Sequence, residues 1–101
     1  MATSREFFEG LEGQVDPSKT SGMTNTYLFD IDGQQWTVAV DDGRVDVSEG
    51  ASAGADCTIT TSEENFLKIV SGEQNPTSAY MSGKLRVKGD MGAAMKLQKL
   101  F

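Results

Sequence analysis

The chain has 101 residues, enough for one hydrophobic core and too few for a second, so a single domain over residues 1–101 is predicted. Fifteen acidic residues against nine basic ones give a net charge of −6, which argues against a nucleic-acid partner. The absence of histidine and the single cysteine exclude histidine-based triads, Cys₄ zinc sites and an intramolecular disulfide. We therefore predict no catalytic residue, no metal site, no cofactor and no enzyme.

The N-terminal half reads as one helix followed by strands. Thr3 and Glu6 form a capping box, after which four apolar residues recur at helical spacing: Phe7, Phe8, Leu11 and Val15. From Met23 the apolar period changes to two, and Asp-Gly turns at Asp32-Gly33 and Asp42-Gly43 separate three strands. A fourth strand places the core residue Cys57 and Ile59 on one face. These four strands are predicted to form an antiparallel meander.

The C-terminal half alternates helices with one strand. Thr61 and Glu64 are predicted to cap a helix that Gly72 ends, and Asn75-Pro76 starts a second short helix. A fifth strand spans 84–88 and a last helix spans 91–101. This order predicts an α+β fold: a single five-stranded, mainly antiparallel sheet, covered on one face by about four to five helices.

The last helix carries more apolar surface than packing on a sheet requires. Its polar residues occupy a narrow part of the circumference, and its apolar arc is formed by Met91, Ala93, Ala94, Met95, Leu97, Leu100 and Phe101. A helix on a sheet needs an apolar stripe of roughly 100°. The surplus indicates a partner or a ligand, whereas the simpler interpretation is a C-terminal core helix.

The positive charge is concentrated at the same end. Residues 1–50 contain ten acidic and three basic residues, a net charge of −7, whereas residues 51–101 contain five acidic and six basic, a net charge of +1. Five of these six bases follow position 83: Lys84, Arg86, Lys88, Lys96 and Lys99. The cluster is either a solvated face or a rim that meets an anionic head group.

Residues 55–101 resemble the sterol carrier protein type 2 family, also called non-specific lipid-transfer proteins. The motifs that carry the resemblance are Ala55-Asp56-Cys57-Thr58-Ile59-Thr60, Phe66-Leu67, Asn75-Pro76, Tyr80-Met81-Ser82-Gly83-Lys84-Leu85, Gly89-Asp90-Met91 and Met95-Lys96-Leu97. The resemblance implies a hydrophobic tunnel between a five-stranded sheet and its helices, which binds sterols, fatty acids, fatty acyl-CoA or phospholipids. It gives the surplus apolar arc a use.

The sequence thus predicts a non-catalytic carrier of a lipid or fatty-acyl ligand. The predicted lining is Phe66, Tyr80, Met81, Met91, Met95, Leu97, Leu100 and Phe101, and Lys96 and Lys99 are predicted to meet the head group. Trp36 is predicted to lie in the sheet, near the ligand face. Since no apolar run approaches 18 residues and no N-terminal signal is present, we expect a cytoplasmic protein without stable membrane insertion.

One alternative to the carrier remains at this stage. The same apolar C-terminal surface could serve as a protein-interaction or dimerisation face, and this leaves a homodimer open.

Overall fold

The computed structural model describes residues 3–14, 17–51 and 54–96. In chain order its elements are α1 (Ser4–Gln14), α2 (Pro17–Thr20), β1 (Thr24–Ile31), β2 (Gln34–Asp41), β3 (Arg44–Glu49), β4 (Cys57–Thr61), α3 (Glu63–Val70), α4 (Pro76–Met81), β5 (Leu85–Gly89) and α5 (Met91–Lys96). The predicted α+β class is confirmed. Val15 and residues 97–101 of the predicted last helix lie outside the described residues.

The five strands form one mixed sheet in the order β3-β2-β1-β4-β5. Three neighbouring pairs are antiparallel, and β1 pairs with β4 in parallel. The predicted meander is therefore correct for β1–β3 and wrong for β4. Between β1 and β5, β4 has a neighbour on each side, and Cys57 and Ile59 are only 1% and 3% exposed.

Two tight turns fix the register of the first three strands. Asp32 and Gly33 have φ angles of 52° and 85°, and Asp42 and Gly43 have φ angles of 44° and 92°. Two consecutive positive φ angles are typical of the primed turns that match the twist of a hairpin. The strand pairs Ile31–Gln34 and Asp41–Arg44 close directly on these turns, as the sequence predicts.

The helices cover one face of the sheet, where the apolar residues of each strand are buried. Tyr27, Phe29 and Ile31 of β1 are at most 1% exposed. Phe8 of α1 fills the centre of this layer, since its ring stacks on both Trp36 and Phe66 at centroid distances of 5.2 Å. Stacked and edge-on aromatic pairs of this kind stabilise the core beyond the area that they bury.

Helix α3 begins one residue later than the sequence predicts. Ser62 is its N-cap, and its hydroxyl oxygen accepts a hydrogen bond from the Asn65 amide (3.1 Å). Thr61 instead belongs to β4, where its buried hydroxyl donates to the Lys84 carbonyl (2.7 Å). The caps of α1 and α4 are confirmed, because Thr3 accepts from the Glu6 amide and Asn75 accepts from the Thr77 amide.

None of the helices in residues 3–14, 17–51 and 54–96 has the length and apolarity of a segment that spans a bilayer.

Candidate functional site

A pocket of about 300 Å³ lies between one half of the sheet and helices α3, α4 and α5. Its lining is formed by Phe29, Ile59, Phe66, Ile69, Pro76, Thr77, Tyr80, Leu85, Val87, Met91, Ala94 and Met95. Among these described residues, only Thr77 and Tyr80 carry a polar group. None of them is a carboxylate or a base.

The floor of the pocket comes from three adjacent strands, β1, β4 and β5. Ile59 pairs with Phe29 on one side and with Val87 on the other, so the three side chains form a row across the sheet. Side chains alternate between the two faces of a strand, and therefore Leu85 joins this floor two residues before Val87. The parallel pairing of β1 with β4 creates the row.

The walls are helical, and their starts are fixed by caps. The carboxamide oxygen of Asn75 accepts hydrogen bonds from the Thr77 and Ser78 amides (2.8 and 3.2 Å), which fixes α4. In the same way, the Asp90 carboxylate accepts from the Gly92 and Ala93 amides (2.8 and 3.2 Å) and fixes α5. Within α5, Met91, Ala94 and Met95 follow a helical spacing of three and four residues and face the pocket together.

Helix α5 is also tied to the centre of the sheet. The Tyr27 hydroxyl donates a buried hydrogen bond of 2.6 Å to the Ala93 carbonyl. Burial raises the pKa of Tyr27 to about 12, and the nearby Cys57 thiol and Asp56 and Asp90 carboxylates raise it in the same direction. The tyrosine is therefore neutral and keeps its donor proton throughout the physiological range, so that the wall made by α5 stays in place.

The pocket opens to solvent between α4 and α5. Among its lining residues, Tyr80, Met91 and Met95 remain 44%, 45% and 72% exposed. The centre of the floor and α3 are closed, since Phe29, Ile59 and Phe66 are at most 3% exposed, whereas Leu85 and Val87 on the edge strand β5 are half-buried. Among the described residues, the exposed side of the pocket is thus mainly apolar and lies at α4 and α5.

The structure brings together four of the residues predicted as lining: Phe66, Tyr80, Met91 and Met95. Met81 is 81% exposed on α4 and is not among the lining residues. Lys96 is exposed and follows Met95 directly. The remaining predicted site residues lie outside the described part of the chain: Leu97, Lys99, Leu100 and Phe101.

The residues that sequence reasoning missed are mostly those of the floor and of α3. Phe29, Ile59, Leu85 and Val87 stand at the apolar positions of alternating strand patterns, but which of them are neighbours depends on the strand order. Trp36 lies in β2, as predicted, yet it is not a lining residue because Phe8 stands between it and Phe66. The alternation of apolar and basic residues in β5 indicates which of its side chains face the pocket. The sequence contains no local pattern that indicates the parallel pairing of β1 with β4.

Comparison with known proteins identifies the family. The sequence profile described as the SCP-2 sterol transfer family matches residues 5–101. The chain belongs to this family. It carries the fold of a sterol or lipid carrier domain, and the resemblance found in the sequence is confirmed.

Three relatives illustrate the match. Human sterol carrier protein 2 is 46% identical over 88% of this chain, and hydroxysteroid dehydrogenase-like protein 2 from Xenopus tropicalis is 34% identical over 95% of it. The chain spans only 17% and 24% of the length of these two proteins.

The third relative has solved structures. Sterol carrier protein 2 like 2 from Aedes aegypti is 27% identical in sequence, and its crystal structure superposes with a TM-score of 0.78. The match covers 96% of this chain and 92% of that one. A solution structure of the same protein in a palmitated form is 27% identical, with a TM-score of 0.76, over 95% and 88% of the two chains.

Proposed function

We propose that the pocket holds the apolar chain of a fatty acid, a fatty acyl-CoA or a phospholipid, and that the protein is a non-catalytic carrier of this ligand. The observation that carries the proposal is the lining: ten of its twelve described residues have apolar side chains, and its entrance is apolar as well. The palmitated form of the Aedes aegypti relative supports a fatty-acyl ligand. An apolar pocket with few polar groups is the usual form of such a site.

The volume limits how much of a ligand the pocket encloses. A methylene group is about as large as a water molecule, whose share of liquid volume is about 30 Å³. A pocket of about 300 Å³ therefore holds roughly ten carbons of a chain. A longer chain leaves its first carbons and its head group at the entrance, where Tyr80, Met91 and Met95 are exposed.

Affinity should come from burial and should be modest. Burying roughly 300 Å² of ligand surface at about 25 cal/mol per Å² gives about 8 kcal/mol before the costs of association. A net value of about 8 kcal/mol would correspond to micromolar binding, and association costs several kcal/mol of that amount, so weaker than micromolar binding with little selectivity follows. Met91 and Met95 suit this role because flexible thioether chains repack around ligands of different shape.

Met95 provides the sharpest test of the pocket. Met95→Glu replaces an apolar contact at the entrance by a carboxylate, which repels the carboxylate of a bound fatty acid and would have to lose water to contact the chain. We expect at least a tenfold loss of affinity in a titration with a fluorescent fatty acid. Met95→Leu keeps an apolar side chain of similar size and should bind within about twofold of the parent protein.

Circular dichroism and urea denaturation of both variants control for folding. Met95 is 72% exposed, so neither change should alter the free energy of unfolding by more than about 0.5 kcal/mol. Unchanged affinity in folded Met95→Glu would remove Met95 from the lining and contradict the proposed site.

We further propose that Lys96 meets the head group, together with Lys99, which lies outside the described residues. Lys96 is exposed beside Met95 at the entrance, and a single charge at such a surface contributes about 1 kcal/mol. Lys96→Glu should therefore weaken fatty-acid binding several-fold at low ionic strength, an effect that salt screens. A fatty alcohol of the same chain length is the matched ligand. Equal losses for acid and alcohol would indicate a disturbed helix, and no loss for either would exclude Lys96.

A further inference from the structure

The polar side chains of the pocket lining lie on one helix. Among the twelve described lining residues, only Thr77 and Tyr80 carry a hydroxyl or any other polar side-chain group, and both belong to α4. Residues three positions apart share one face of a helix, so the two side chains line the pocket from the same side. Within the described lining, the floor, α3 and α5 contribute apolar side chains alone. The polar side of the pocket is therefore at α4.

Both hydroxyls are available to a ligand. Thr77 and Tyr80 are exposed, and neither hydroxyl is hydrogen-bonded to another residue of the described part of the chain. The hydrogen bond that Thr77 donates to the Asn75 cap uses its backbone amide. A hydroxyl both donates and accepts hydrogen bonds, so it pairs with a carboxylate, an alcohol or the carbonyl of an ester.

The residues at the inner end of the pocket offer no such partner. Phe29, Ile59 and Phe66 are at most 3% exposed and carry no polar side-chain atom. A polar group placed against them would lose its water without gaining a hydrogen bond, which is unfavourable. The methyl end of an acyl chain meets no such penalty. We therefore expect the chain to enter with its methyl end first and to leave its polar end beside α4.

We propose that the hydroxyls of Thr77 and Tyr80 form the polar subsite of the pocket and hydrogen-bond to the oxygen atoms at the polar end of the ligand. This inference rests on the proposed carrier function and adds the residues that orient the ligand and select its chemical class. That class is a single-chain lipid with an oxygen function at one end, whether an ionised acid, an alcohol or an ester, in preference to a plain hydrocarbon.

The polar subsite differs from the role proposed for Lys96. The ammonium group of Lys96, on α5, favours an anionic head group, and salt screens that attraction. The hydroxyls on α4 recognise oxygen atoms whether or not these atoms carry charge, and a hydrogen bond between neutral groups is not screened in this way. A fatty acid and a fatty alcohol of the same chain length therefore separate the two contributions.

Competition binding tests the hydrogen bonds of the polar subsite. The probe is diphenylhexatriene, a rod-shaped fluorescent hydrocarbon without oxygen, which a fatty alcohol or a fatty acid should displace from the pocket. Thr77→Val and Tyr80→Phe each remove one hydroxyl and keep the shape of the side chain. Each variant should bind the alcohol about threefold more weakly, and the double variant about tenfold more weakly, at low and high salt alike. Binding of the hydrocarbon probe should stay within about twofold of the parent protein.

Ser78→Ala is the matched control. Ser78 is exposed on the same helix and is not a lining residue, and the change likewise removes one hydroxyl. This variant should bind the alcohol, the acid and the hydrocarbon like the parent protein. Circular dichroism and urea denaturation should show the parent fold for every variant, because all three positions are exposed.

Two photoreactive fatty acids test the orientation of the ligand. A diazirine beside the carboxyl group should label α4 at or near Tyr80, whereas a diazirine near the methyl end should label inner residues such as Ile59 and Phe66. Peptide mapping distinguishes these results, because the three residues lie on different elements.

The outcomes separate this inference from the proposed function. Parent affinity for both the alcohol and the acid in the folded double variant, an equal loss for Ser78→Ala, an equal loss for the hydrocarbon, or labelling of Ile59 by the carboxyl-end diazirine would each overturn the polar subsite. A parent protein that binds neither the hydrocarbon nor the fatty acid would contradict the carrier function instead.

Discussion

At the scale of single residues, Tyr27 links the sheet to the wall of the pocket that α5 forms. Its hydroxyl is the donor of the buried hydrogen bond to the Ala93 carbonyl, and its side chain is fully buried. A buried carbonyl that loses its partner costs about 1–3 kcal/mol. Tyr27 therefore couples the stability of the core to the position of α5, which carries Met91 and Met95.

The raised pKa of Tyr27 predicts a loss of stability in alkaline solution. The folded state holds the phenolic proton more tightly than the unfolded chain, whose pKa is near 10.0, against about 12 in the fold. The contribution of Tyr27 is therefore fully present below pH 10 and is lost as the pH rises from about 10 to 12, by up to about 3 kcal/mol. Urea denaturation at a series of pH values measures this slope.

Tyr27→Phe is the variant that isolates this effect. It should cost about 1–2 kcal/mol at neutral pH and should show a shallower alkaline loss than the parent protein. Part of the slope should remain, because burial also raises the pKa of the Cys57 thiol. Tyr80→Phe, at a position that is 44% exposed, is the control and should leave both quantities unchanged. Parallel pH profiles for the parent protein and Tyr27→Phe would contradict the buried hydrogen bond.

At the scale of secondary-structure elements, the junction between β5 and α5 positions two sides of the pocket. Gly89 ends β5 with a φ of 109°, and a Cβ at this residue would lie 2.5 Å from the backbone oxygen of Asp56. The same oxygen accepts a hydrogen bond from the Asp90 amide (2.9 Å), and Asp90 caps α5. The close approach therefore transmits the position of β4 to α5.

Gly89→Ala should lower the free energy of unfolding more than Gly83→Ala does, although both glycines have positive φ. Gly83 has a φ of 82° and open space around its missing side chain, so alanine there costs about 1–2 kcal/mol for the backbone conformation alone. At Gly89 the clash with backbone adds about 1–3 kcal/mol and moves α5. Fatty-acid affinity should fall for Gly89→Ala and persist for Gly83→Ala. Equal unfolding free energies for the two variants would refute the close contact.

Local signals account for what the sequence predicted at this scale. The Asp-Gly turns, the Asn75 cap and the alternation of β5 each depend on residues within a few positions, and the structure confirms them. The cap of α3 was misplaced by one residue because Thr61 and Ser62 can both cap a helix, and only the packing of β4 assigns Thr61 to the sheet. The place of β4 was missed because an isolated strand pattern does not encode its neighbours.

The candidate site was predictable only where it depends on local sequence patterns. Met91 and Met95 follow from the surplus of apolar residues on one helix. The floor required the pairing of Phe29, Ile59 and Val87 across three strands, which depends on long-range contacts. Met81 is apolar like the lining residues. Whether its side chain faces the pocket depends on how the short helix α4 packs against β5.

At the scale of the whole molecule, the chain divides into a packed half and a hollow half. Helix α1 fills the first half with Phe8 and Leu11, which are at most 2% exposed, over the sheet side that contains Trp36. Over β4 and β5, the side chains of α3, α4 and α5 enclose a pocket. Exposed acidic residues of α1 and β3 lie on the packed half, and the exposed bases Arg86 and Lys88 lie on β5. The packed core and the proposed ligand site thereby lie over different regions of one sheet.

Photocrosslinking with a fatty acid that carries a diazirine near the end of its chain, followed by peptide mapping, tests the central claim most directly. Saturable labelling should be found on lining residues of α3, β5 and α5, such as Phe66, Val87 and Met95, and an excess of unlabelled fatty acid should abolish it. Labelling confined to α1 or to the open face of the sheet, or labelling that unlabelled fatty acid does not reduce, would contradict the claim that this pocket binds the acyl chain.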